Sequence, residues 1–346
     1  MAAAIMAAAA LVCSAGVAQA QGGKDCKLSK IAELPFKFEY NKALVQITVN
    51  GQVAWFAIDT GAGDSSMFGG AARAFGLRET TVDGMRFYGV GGGQDAKSVV
   101  ISEFGLGKVK VKDVRFYSIG HRGSPEFAGL LGRDFLDGVG DMEFDISAHT
   151  LRFWKPQDCG NRSLAYWTKT PLAADIAHDE MGAPYTVKMM INGKRVDAEL
   201  DSGSDTTVVT PDIAKSVGLS QQNYATEVRQ TGGIGEAPVA TRIATFDSVI
   251  VGDEEVKHAR LQVADLFAAN TETQTGSLLA KPVEGLKMPG MLLGADFLRS
   301  HRALLVAEQH LLYFTYNGGP VFQIVGEPAK PKDEPAAASG AAPSPK

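Results

Sequence analysis

The sequence predicts a mainly β protein made of two similar lobes, and three observations predict it. First, the chain repeats itself: 44–63 (LVQITVNGQVAWFAIDTGAG) and 186–205 (TVKMMINGKRVDAELDSGSD) share one pattern, with a period of 142 residues between Asp59 and Asp201. Second, the signals between turns are short apolar/polar alternations, which suit half-buried strands. Third, helical signals are few and brief. At 346 residues the chain is long enough to bury two ordinary cores.

Taken in order, each repeat opens with an alternating strand that runs into Asn-Gly, the strongest short hairpin signal. A second strand follows and ends in Asp59-Thr60-Gly61 or in Asp201-Ser202-Gly203. Short helices are expected at 71–77 and 211–219, the latter with Pro211 in its first turn. Gly-rich tips come next, GVGGG at 89–93 and GGIG at 232–235, flanked by strand-forming residues and read as mobile hairpins. Then GLLGRDFL (129–136) answers MLLGADFL (291–298), and each is followed by an apolar strand. Four matched features in one order define an internal duplication. The second copy is longer by a surface loop around 269–289.

The expected organisation is a signal peptide at 1–20, an N-terminal extension at 21–35, lobe 1 at 36–155, a linker at 156–183, lobe 2 at 184–325 and a disordered Pro/Ala-rich tail at 326–346. The first twenty residues carry no charge and close on Ala18-Gln19-Ala20, a cleavage pattern that implies export to the periplasm or the outside. Beyond Cys13 in that segment, two cysteines remain, Cys26 and Cys159. In an oxidising compartment they either pair or stand as two buried thiols. A net charge of −5 and a pI near 5.7 give no basic face for nucleic acid. G-x-S-x-G and H-E-x-x-H are both absent, and GVGGGQD lacks the spacing of a dinucleotide site. No metal or cofactor is called for, nor a membrane partner after signal cleavage, and a pseudosymmetric monomer is expected.

An apolar strand that delivers a carboxylate into a Gly turn needs a reason, because a buried charge is costly unless paired or used. Duplicated lobes related by a two-fold axis bring equivalent residues together on that axis. Asp59 and Asp201 then face one another and share one proton, since two adjacent carboxylates cannot both ionise cheaply. Gly61 and Gly203 leave room for backbone N–H groups beside the carboxylates. Thr60 and Ser202 carry hydroxyls able to bond the opposite loop. Such a pair activates a water by general acid–base chemistry.

On these motifs the chain resembles the aspartic proteases, as two retropepsin-like units fused in one chain. The Asp59–Ala62 tetrapeptide has the retroviral form, Asp201–Ser204 is closer to the pepsin form, and GGIG resembles the retroviral flap. Gly132-Arg133-Asp134 and Gly294-Ala295-Asp296 resemble the family's second motif, with Asp134 and Asp296 structural rather than catalytic. The resemblance implies a bilobal fold of two pseudo-two-fold-related β-barrel lobes and cleavage of an extended polypeptide under flaps. Flap and substrate-binding residues would be Tyr88, Gly91, Gly92, Gly232, Gly233 and Gly235. The alternative is a module of the same fold that holds a peptide or protein without cutting it.

Departures from the pattern carry expectations of their own. Four residues past the aspartates stand Gly63 and Asp205, while the motif arginine is present as Arg133 and replaced by Ala295 in the second copy. Asp64 is expected to serve Arg133 instead. Ser204 stands where lobe 1 has Ala62. Its hydroxyl, bonded to a carboxylate, would make Asp201 the ionised member and leave the resting proton on Asp59. The segment 21–30 has three lysines, one of which could reach the dyad as a pro-segment would, although a solvated extension is the plainer reading.

Overall fold

The computed structural model describes residues 26–39, 41–178, 183–233, 235, 237–273, 280–282 and 288–322. The signal segment and the C-terminal tail read from sequence lie outside these residues. The described chain is mainly β with a few short helices, as its alternation demands.

Each lobe folds around the strand that carries its aspartate. In lobe 1 the hairpin Lys42–Val49 and Gln52–Ile58 turns at Asn50-Gly51, both at positive φ. Gly51 adopts such a φ without penalty, and Asn tolerates it better than most residues. In lobe 2, Thr186–Ile191 and Lys194–Leu200 turn at Asn192-Gly193 in the same way. The strand before each aspartate then pairs in parallel with the second motif: Ile58 lies opposite Leu131 and Leu200 opposite Leu293. Helices follow at Gly69–Ala74 and Pro211–Ser216. The second is capped by the Thr210 side chain and has Pro211 in its first turn, where the missing N–H has no partner to lose.

Six antiparallel strands join the lobes. In spatial order they are Lys27–Glu39, Thr150–Gln157, Asp141–Asp145, His301–Val306, Leu311–Tyr316 and Leu172–Ala177. The seam between Asp141–Asp145 and His301–Val306 is the pseudo-two-fold position. Three strands lie on each side of it, and Lys27–Glu39 and Leu172–Ala177 occupy equivalent outer places. This corrects two expectations. The described part of the supposed solvated extension is a strand, and the supposed linker supplies its counterpart. Alternation in 27–35 is masked by Lys30 and Glu33, which form a surface ion pair. The fully buried Glu143 ties the seam by accepting hydrogen bonds from Arg302, Arg152, Trp154 and Tyr166. A disulfide joins Cys26 to Cys159 beside this sheet.

Candidate active site

Both aspartates sit at the ends of their strands, held by the second motif. The Asp59 N–H donates to the Leu131 carbonyl at 3.0 Å and the Asp201 N–H to Leu293 at 2.9 Å. Asp134 accepts from the Ser65 N–H and hydroxyl, and Asp296 from the N–H and hydroxyl of Thr207. Those hydroxyls accept in turn from the N–H of Gly132 and Gly294. Asp134 and Asp296 therefore anchor the two loops and stay away from the chemistry.

The loops lock across the lobe boundary. Thr60 Oγ1 donates to the Leu200 carbonyl at 2.6 Å and accepts from the Ser202 N–H at 3.0 Å. Ser202 Oγ donates to the Ile58 carbonyl at 2.7 Å and accepts from the Thr60 N–H at 3.0 Å. All four groups are buried, so each bond is costly to lose. The lock sets the aspartates side by side: a Cβ added to Gly61 would lie 2.4 Å from Asp201 Cγ, and one added to Gly203 2.3 Å from Asp59 Cγ. Only glycine fits in either place. The two carboxyls are thereby close enough to act on one another.

Each carboxylate also receives two backbone donors. Asp59 Oδ1 accepts from Gly61 and Ala62, both at 3.0 Å, and Asp201 Oδ1 from Gly203 and Ser204 at 2.9 and 3.0 Å. The Ser204 hydroxyl turns away and donates to the Thr206 carbonyl. The asymmetry expected from Ser204 is thus not built, because the carboxylate sees the same pair of N–H donors in both lobes.

A different asymmetry is present. Burial raises both carboxyls above the ordinary range. Asp59 is relieved chiefly by the Lys42 ammonium. Asp201 is pushed further up by Asp59 and Glu199 and ends well above the ordinary range. The neighbouring charges thus act on the two acids unequally, and not through the Ser204 hydroxyl that the sequence led one to expect. Lys42 itself is half-buried and contacts the Asp205 carboxylate. Burial lowers its pKa while both dyad carboxylates raise it. Of the described lysines in the N-terminal segment, Lys30 pairs with Glu33 at the surface, so the ammonium at the dyad comes from the first hairpin strand instead.

Arg133 braces lobe 1 from below. Its guanidinium donates to the carbonyls of Thr60 and Gly61 and to Glu199 Oε1 of the other lobe at 3.1 Å. Asp64, raised by burial and by Asp134, feels the Arg133 charge as well, while Arg133 forms its cross-lobe ion pair with Glu199. Glu199 carries no sequence signal beyond its place two residues before Asp201.

The tips of the two expected flap hairpins meet each other across the lobe boundary. The first flap is the hairpin of Thr80–Gly89 and Gly92–Leu106. The second, Arg229–Thr231 against the start of Val239–Val251, is much shorter. Gly235 N–H donates to the Val90 carbonyl at 2.9 Å and Ala237 N–H to the Gly91 carbonyl at 3.1 Å. Gly91 N–H reaches the Leu266 carbonyl at 3.2 Å. Gly233 packs on Val90 so closely that a Cβ would clash, and Gly92 lies on Ala269. Gly232 has open space around it. Tyr88 pairs across the hairpin with Gly93 and covers it with its ring. A recess of about 460 Å³ beside the first flap tip is lined by Glu79, Arg86, Gln94, Lys97, His121 and Ala269 among others.

The fold, the paired Asp-Thr/Ser-Gly loops and the duplicated second motif define an aspartic-protease architecture. The family model described as aspartyl protease matches residues 45–135 and 187–297, more than half of the chain, one match in each lobe. The chain belongs to that family. A comparison with curated proteins finds no match.

Proposed function

We propose that this protein is an aspartic endopeptidase that hydrolyses peptide bonds with a water activated between Asp59 and Asp201. The observation that carries the reading is the mutual seating of the two loops, in which each glycine leaves only enough room for the opposite carboxyl. One ionised and one protonated carboxyl are what general acid–base hydrolysis needs. The water oxygen bonds the carbonyl carbon while its proton passes to the ionised carboxyl. The protonated carboxyl gives its proton to the carbonyl oxygen. Collapse of the resulting diol expels the amine, which takes the proton just gained, and returns the other to its donor.

The substrate is an extended polypeptide lying between the lobes beneath the flap tips, with the recess at Gln94 open to one of its side chains. The paired carboxylates favour this over a non-cutting module, since a binder gains nothing from holding two acids together at such cost. Export is part of the proposal, supported by the uncharged leader and by the Cys26–Cys159 bridge, which suits an oxidising compartment. A mixed peptide library incubated with the full chain between pH 3 and 7 tests the reading. Cleavage that a statine-containing peptide stops, and that chelators and serine- or cysteine-directed reagents leave alone, is expected. Cleavage indifferent to the statine peptide would overturn it.

A further inference from the structure

One brace on the aspartate loops exists on a single side of the pseudo-two-fold axis. Arg133 Nη1 donates to the Thr60 carbonyl at 2.7 Å, to the Gly61 carbonyl at 2.9 Å and to Glu199 Oε1 at 3.1 Å. The side chains of Arg133 and Glu199 are 8% and 11% exposed, so the ion pair is covered. In the repeat, Glu199 corresponds to Ala57, two residues before the aspartate, and Arg133 to Ala295 in the second motif. Both charges are present on one side and both are missing on the other. Peptide planarity shows what the brace does. The Thr60 carbonyl shares a plane with the Gly61 N–H, and the Gly61 carbonyl with the Ala62 N–H. Those are the two N–H groups that Asp59 Oδ1 accepts, each at 3.0 Å. A guanidinium that holds the carbonyls from behind therefore aims both donors at the carboxylate. Lobe 2 ties its loop differently, through the Ser204 hydroxyl on the Thr206 carbonyl, and lobe 1 has Ala62 at that place.

We infer that Glu199 is a positioning residue for the opposite lobe: it fixes Arg133 behind residues 60–61 and so orients the Asp59 carboxylate. The inference rests on the reading of the dyad as the hydrolytic centre and adds a group, outside both aspartate loops, on which the geometry of that centre depends. Two carbonyls do not neutralise a covered guanidinium, whereas a carboxylate does. Asp64 acts on Arg133 too, but from an exposed place in lobe 1, where solvent and salt screen it more. Glu199 makes the seating of the lobe 1 loop depend on the docking of lobe 2. Gly63 offers a way to check this. A Cβ at Gly63 would lie 3.6 Å from Arg133 Nη2, in ordinary contact and without a positive φ. An aspartate there would present Arg133 with a carboxylate from its own loop.

The test is hydrogen exchange of the full chain, read by NMR at the amides of Gly61, Ala62, Gly203 and Ser204. Glu199→Gln should speed exchange at Gly61 and Ala62 about tenfold and at Gly203 and Ser204 by less than about threefold. That ordering is the opposite of a local effect, because Glu199 sits on the strand leading to Asp201. Adding Gly63→Asp should bring Gly61 and Ala62 back toward the wild-type rates. Glu199→Asp keeps the charge but withdraws it by one methylene, and gives the same ordering more weakly should the Gln variant not fold. In peptide cleavage the Gln variant should lose about tenfold in kcat with KM within about twofold, and Gly63→Asp should recover the loss. Exchange that rises equally in both loops, rises more at Gly203 and Ser204, or does not respond to Gly63→Asp would overturn the inference. So would a kcat that ignores the loosened loop. Because exchange needs no substrate, the expected pattern in a chain that cuts nothing would leave the role of Glu199 standing and overturn only the proteolytic reading.

Discussion

Thr60 and Ser202, one from each lobe, hold each other by reciprocal bonds. Each hydroxyl accepts the other residue's N–H and donates to the carbonyl just before the other's aspartate. The relationship converts a chain duplication into a fixed distance between two acids. Thr60→Ala and Ser202→Ala each strand buried donors and acceptors, at about 1–3 kcal/mol per group left unpaired. Denaturant unfolding should show that loss, and proteolysis should fall at least tenfold. Thr60→Ser keeps the hydroxyl and should keep most of both.

Gly61 and Gly203 make a sharper prediction. An added methyl group at either would occupy the space of the opposite carboxyl. Gly61→Ala and Gly203→Ala should both abolish turnover and the binding of a statine-containing peptide, measured by inhibitor titration. Alanine at Gly51, where nothing lies within 4 Å but φ is +82°, should cost stability alone, by about 1 kcal/mol.

Stability should favour acid. Burial raises Asp141, which also sits near Glu308, and Asp296, each to about 6. Both titrate higher folded than unfolded, so the stability they lend is fully present below the ordinary carboxylate range. It is lost as pH rises through about 6. Each contributes up to about 3 kcal/mol to that slope. Thermal unfolding should show a higher Tm at pH 4 than at pH 7. Asp141→Asn should flatten the slope, since Asp141 accepts one bond from the Ala307 N–H and buries its other oxygen without a partner.

The Cys26–Cys159 bridge spans 133 residues and pins the outer strand of the joining sheet. Its loss through Cys159→Ser should cost roughly 2–5 kcal/mol. The unfolding midpoint of the variant should then no longer respond to reductant, whereas that of the wild type should fall.

How much of this the sequence carries differs between parts of the site. Asp59, Asp201 and their glycines are legible because duplication repeats local chemistry in a local frame, and a repeat is visible in one chain. The reciprocal bonds of Thr60 and Ser202 follow once the axis is assumed. Lys42 and Glu199 were not legible: each is an ordinary charge in a strand, and only the approach of the other lobe gives it a role. The Ser204 expectation failed because a hydroxyl three residues past the aspartate can bond Thr206 within its own loop instead. The outer strand Lys27–Glu39 is hidden in the sequence for a related reason. Its partner Thr150–Gln157 is more than a hundred residues away, and its surface charges obscure the period.

The most direct test of the central claim is cleavage of a peptide library by the wild-type chain, Asp59→Asn and Asp201→Asn, across an acid pH series. Cutting by the wild type that both single variants lose, with their folded spectra and unfolding midpoints intact, is the predicted result. Cutting that survives either substitution would show that the two acids do not act as one centre.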